Sequence, residues 1–131
     1  MEGYRHRIMD SLLEKKLQAK GAVLIEGPKW CGKTTTAEEI AASKILLART
    51  DVKNNFKSLL EIDTDAALSG DAPMLIDEWQ TVPKLWDSVR YTVDHRRKMG
   101  QFILTGSAVP DKEAEEEREH SGTGRFAWLT M

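Results

Sequence analysis

The chain has 131 residues, enough for one domain with a real core, and at 40% hydrophobic and 31% charged it is neither disordered nor fibrous. Its 19 basic and 21 acidic residues leave a net charge of −2, so no overall basic field points to a nucleic-acid partner. A single cysteine, Cys31, excludes an internal disulfide framework. No apolar run nears the length of a membrane span and no signal-peptide core opens the chain, so a cytoplasmic location is expected.

From the N-terminus, Met1 to Arg7 reads as basic and irregular. Ser11 to Lys20 has helical spacing, with Ser11 and Glu14 three apart like a capping box, Leu13 and Leu17 on one face, and Gly21 as the stop. Ala22 to Glu26 is a short apolar, β-branched run of the kind buried on both faces of a parallel sheet.

Gly27-Pro28-Lys29-Trp30-Cys31-Gly32-Lys33-Thr34 then fits the phosphate-loop pattern without mismatch, and a helix-forming stretch from Thr35 to Ala42 with acidic residues in its first turns follows. Strand, glycine loop and helix start together give the motif its meaning. Gly27 and Gly32 let successive N–H groups point at phosphate oxygens, and the helix start adds its positive dipole end. Lys33 reaches the β- and γ-phosphates, Thr34 offers its hydroxyl to Mg²⁺, and Thr35 is placed for the α-phosphate. Cys31 holds a variable position and reads as a bystander, while Trp30 either stacks or packs near the nucleotide. Tyr4 to Met9, just before the first strand, has two readings: it lies against the adenine base, or it belongs to a helix covering the sheet edge.

Ile45 to Ala48 is a second strand candidate, and Asn54 to Leu68 carries Phe56, Leu59 and Leu60 at helical spacing as one broken helix or two. Pro73 to Ile76 is an apolar strand ending in Asp77-Glu78. Lys84 to Lys98 is helical, with Trp86, Val89 and Val93 on one face and Arg96, Arg97 and Lys98 closing the last turn. Gln101 to Leu104 is a further strand, running into Thr105-Gly106-Ser107. Asp111 to Glu119 is acidic without an apolar face, and Arg125 to Met131 is a last strand. This alternation predicts an α/β fold: a parallel sheet of about five strands with helices on both faces.

Asp77 and Glu78 leave their strand at its carboxyl end, where ligands gather in such sheets. Asp77 suits Mg²⁺ opposite Thr34, and Glu78 suits orienting and polarising the water that attacks a γ-phosphate. Ser107 and Thr105 are both in range as the polar residue contacting γ-phosphate and water, on a strand expected to lie between the other two. In His120-Ser121-Gly122-Thr123-Gly124-Arg125, a glycine-rich turn presents Arg125 to neutralise charge on the transferring group, in its own chain or a neighbour's; Arg118 is a weaker candidate. His6, His95 and His120 have no metal-ligand spacing, Trp79 stacks or packs near the nucleotide, and Trp86 and Trp128 read as core.

Taken in order, these motifs (with Leu75-Ile76-Asp77-Glu78-Trp79-Gln80 and Phe102 to Ser107) closely resemble a widespread prokaryotic family of AAA-type ATPases, from about Ile8 to Met131. The resemblance implies a P-loop NTPase three-layer sandwich that binds and hydrolyses ATP with Mg²⁺. It carries catalytic roles to Lys33, Glu78, Ser107 and Arg125, nucleotide contacts to Gly27 through Thr35, and metal contacts to Thr34 and Asp77. Members of that family usually continue into further helices and a C-terminal domain. Residues 1–131 are therefore expected to be one ATPase core, a fragment or shortened product lacking the lid and effector domain. Such shortening bears on hydrolysis and on isolated folding more than on nucleotide binding, which is the expected activity of the core. The leading function is ATP hydrolysis that drives or resets a partner domain, and the alternative is a nucleotide-dependent switch with little turnover. A small-molecule kinase is disfavoured, because no second substrate site is visible. Partners are ATP or ADP, a partner domain or further copies of the chain, no membrane, and nucleic acid by family analogy alone.

Overall fold

A computed structural model describes residues 2–27, 33–107 and 126–130, with backbone alone at 2–7, 33, 34, 107, 128 and 130. The elements are α1 (Glu2–Ala19), β1 (Ala22–Gly27), α2 (Lys33–Ile40), β2 (Ser43–Leu46), α3 (Thr50–Ile62), α4 (Thr64–Ala67), β3 (Met74–Asp77), α5 (Leu85–Arg96), β4 (Phe102–Ser107) and β5 (Phe126–Thr130). A single 3-10 turn, Trp79–Thr81, stands between β3 and α5. The five strands form one all-parallel sheet in the order β2-β3-β4-β1-β5.

The sheet works because its central strands are apolar on both faces. Ala22 and Leu24 of β1, Met74 and Ile76 of β3, and Phe102 and Leu104 of β4 pack with α3, α4 and α5 through Phe56, Leu60, Ala67, Leu85, Trp86, Val89 and Val93. The alternate residues Val23, Ile25, Leu75 and Ile103 turn to the other side, onto Leu13 and Leu17 of α1 and Ala37 of α2. The period of two explains this division. Each buried Leu, Val or Phe contributes roughly 1.5–3 kcal/mol, so two covered faces hold the sheet where one would leave half of each strand wet. This is the layered architecture that the alternation of elements implies.

Several boundaries differ from expectation. The helix expected at Ser11 begins at Glu2. Met9 joins Leu13 and Leu17 against the sheet, so the apolar stripe starts a turn before Ser11, which is an interior position and no cap. Glu38 and Glu39 fall beyond the first turn of α2. The strand expected at Ile45–Ala48 is Ser43–Leu46; Leu47 is buried but already past the ladder. The Asn54–Leu68 segment is two helices. Asp63 leaves helical geometry and its carboxylate accepts from the Ala66 N–H at 3.1 Å, capping α4. The expected acidic segment 111–119 lies outside the described residues.

The basic end of α5 is pinned rather than solvated at its first arginine. Arg96 donates to the Leu68 carbonyl at 2.9 Å and to Gln101 Oε1 at 3.3 Å, and its guanidinium lies 5.5 Å from the Phe102 ring centroid. Arg97 then ends the helix in the left-handed region, φ 53°, its N–H on the Val93 carbonyl.

Candidate functional site

Three neighbouring strands bring the motif residues to one end of the sheet. In the ladder, Gly27 at the end of β1 pairs with Ser107 at the end of β4, and Thr105 of β4 pairs with Asp77 at the end of β3. Strand β4 lies between the other two, as the third motif requires. With strands about 4.8 Å apart, the first loop glycine, the Thr105–Ser107 tip and the acidic pair share one rim. The backbone of α2 opens at Lys33, directly after the glycine loop, with Thr34 and exposed Thr35 in its first turn. Residues Pro28, Lys29, Trp30, Cys31 and Gly32 lie outside the described residues, as do the side chains of Lys33, Thr34 and Ser107.

Asp77 is 8% exposed and faces the α2 side, two residues on from Leu75. The hydroxyl of Thr105, itself fully buried, donates to Asp77 Oδ1 at 2.5 Å. A threonine that a strand holds rigidly thus fixes the orientation of the carboxylate. Thr105, one of two candidates for the phosphate-contacting position, is therefore engaged with Asp77, while Ser107 stands at the strand's end beside Gly27.

Glu78 leaves the strand abruptly. Its backbone is left-handed, φ 58° and ψ 45°, a conformation costing a non-glycine residue roughly 1–2 kcal/mol. Its carbonyl accepts from the Thr81 N–H at 3.1 Å and the Thr81 hydroxyl at 2.9 Å, which closes the 3-10 turn. Gln80 Nε2 donates to its carboxylate at 2.5 Å. Sequence reading included Gln80 in the motif after β3 but gave it no role. It also missed what Gly106 does. A Cβ there would stand 2.6 Å from Gln80 Oε1 and 3.0 Å from Trp79 Nε1, so the missing side chain lets these two side chains sit where they do against β4. Trp79 itself is core: it is 9% exposed, with its ring centroid 5.4 Å from that of Trp86, which stacks on Phe126 at 4.1 Å.

Arg125 and Arg118 lie outside the described residues. Phe126, to which Arg125 is bonded, pairs with Ala22 at the far end of β1 from Gly27. A cavity of about 480 Å³ lined by Lys20, Gly21, Val93, Asp94 and Arg97 also lies away from the motif rim, at the amino ends of the strands.

The Asp77 carboxylate, oriented by the Thr105 hydroxyl, is a donor of the kind Mg²⁺ takes, since that ion uses one or two carboxylates and fills its shell with phosphate and water. Among the described residues no group of three acidic, His or Cys side chains forms a dedicated metal cage, and no helix is long and apolar enough to cross a membrane.

A parallel sheet with a glycine loop leading into a helix at the carboxyl end of one strand, and an acidic pair two strands away, defines a P-loop NTPase-like α/β protein. The AAA domain family model matches residues 19–131, and the chain belongs to that family, which makes it a nucleotide-binding, ATPase-like module. It is 33% identical over 100 residues to the uncharacterized proteins Mb2031c of Mycobacterium bovis and Rv2008c of Mycobacterium tuberculosis. The matched segment is 76% of this chain and 22% of each relative, so the chain spans well under a third of the curated relatives it matches.

Proposed function

We propose that the chain binds ATP with Mg²⁺ at the rim formed by Gly27, Asp77 and Ser107, and hydrolyses it to ADP and phosphate to drive or reset a partner domain. The observation that carries this reading is the strand order β3-β4-β1, which sets the acidic pair and the glycine loop on either side of one strand tip. The loop from Gly27 to Thr35 cradles the phosphates, with Lys33 on the β- and γ-phosphates and Ser107 beside them. Asp77, oriented by Thr105, and Thr34 hold the metal, which supplies neutralisation of phosphate charge. Glu78 takes a proton from water as the water oxygen bonds to the γ-phosphorus and the bridging P–O bond breaks, ADP leaving with the electron pair.

Arg125 is proposed to neutralise charge on the transferring phosphoryl group, in its own chain or on a neighbouring copy's site. Turnover per chain that rises with protein concentration supports action on a neighbour's site; turnover per chain independent of concentration supports action within the chain. The cytoplasm, with its ATP and reducing conditions, is the proposed compartment.

Calorimetry with Mg·ATP, followed by phosphate release in the same samples, tests the main reading. Lys33→Ala should abolish binding. Glu78→Gln should keep binding and lower turnover by about 100-fold or more. Retained turnover in Glu78→Gln would instead favour a nucleotide-dependent switch that does not use a positioned base.

A further inference from the structure

We infer that Gln80 is a positioning residue for Glu78, joining that carboxylate to the tip of β4; this rests on the hydrolytic reading above. The Gln80 amide donates to Glu78 Oε2 at 2.5 Å, and one fixed carboxylate oxygen orients the other. Glu78 holds a left-handed backbone, φ 58°, at the head of the 3-10 turn, with its carbonyl accepting from the Thr81 N–H and hydroxyl, so the carboxylate leaves β3 from a fixed turn. Gln80 Oε1 is buried without a hydrogen-bond partner, so the amide is held by what surrounds it rather than by a second bond. What surrounds it includes Gly106, where even one methyl group would approach Oε1 to 2.6 Å.

These contacts give β4 a grip on both acidic residues. Thr105 turns to the α2 side and bonds Asp77, whereas Gly106, the next residue, turns to the opposite side and receives Gln80. A displacement of this strand tip, which ends at Ser107 beside Gly27, therefore reaches the metal-binding carboxylate directly and the proposed base through Gln80. Gln80 touches neither phosphate nor water in this scheme. It acts on the reaction only through Glu78.

Gln80→Met keeps the length of the side chain and removes the donor. Expected is a fall in kcat of roughly tenfold with KM and the calorimetric Kd for Mg·ATP unchanged, and no further fall when Gln80→Met is added to Glu78→Gln. Equal losses in both backgrounds, or a raised KM, would mean that Gln80 only supports the fold and would overturn the inference. A readout that needs no turnover is the side-chain amide proton resonance of Gln80, which should move upfield in Glu78→Ala; an unmoved resonance overturns the inference as well. Failure of the underlying reading looks different. Glu78→Gln itself would then leave phosphate release unaltered, whatever Gln80→Met does.

Discussion

At the scale of single residues, the contact most open to test is Thr105 to Asp77. Both groups are buried, and the hydroxyl donates to Oδ1. Thr105→Val preserves shape and deletes the donor, which should cost about 1–3 kcal/mol in urea unfolding because a buried carboxylate oxygen loses a bond. If the bond also aims Asp77 at a metal, Mg·ATP affinity should weaken by roughly 10-fold or more, and Thr105→Ser should restore both. A stability loss with affinity intact would reduce Thr105 to a packing role. The sequence could bring Thr105 and Ser107 into range but could not choose between them. The difference lies in ladder register: Thr105 stands opposite Asp77, and Ser107 two positions further on, opposite Gly27.

At the scale of elements, apolar runs legibly marked the central strands, because a strand buried on both faces excludes most polar residues. The edge strand β2, Ser43–Leu46, is only partly buried and was read two residues late. Ends were less legible, since they depend on tertiary contacts. The helix stop after α5 shows why. Its basic run reads as a complement to the helix dipole, yet Arg97 is a left-handed C-cap, φ 53°, and exposed. Glycine takes that conformation at little cost. Arg97→Gly should therefore stabilise the chain by about 0.5–1 kcal/mol, seen as a higher urea midpoint at unchanged slope. A lower midpoint would show that the Arg97 side chain contributes more than its backbone costs. The turn at Glu78–Thr81 was not legible at all. Three residues give no periodicity, and what shapes the turn is a main-chain bond from Thr81, an amide from Gln80 and the missing Cβ of Gly106 on another strand.

At the scale of the whole molecule, the motifs were the most legible part of the candidate site because their spacing is local, and the sheet order supplied what spacing cannot, their assembly on one rim. Two apolar clusters sandwich that sheet, and the second includes Ala37 of α2, so the helix that opens after the glycine loop is tied to the core. A ligand held by the loop and by Asp77 therefore binds the folded chain and not the unfolded one. Linkage then sets the size of the effect: at 100 times Kd, Mg·ATP should raise stability by about 2.7 kcal/mol. For a domain of this size that is a rise of roughly 8–16 °C in the thermal midpoint. Lys33→Ala should lose the rise while leaving the nucleotide-free midpoint within a degree or two, since the substitution exchanges one good helix former for another. Adding EDTA should shrink the rise in wild type if Asp77 and Thr34 share a metal with the phosphates. A full rise in Lys33→Ala would place the nucleotide somewhere other than the loop, and a rise insensitive to EDTA would remove the metal from the site.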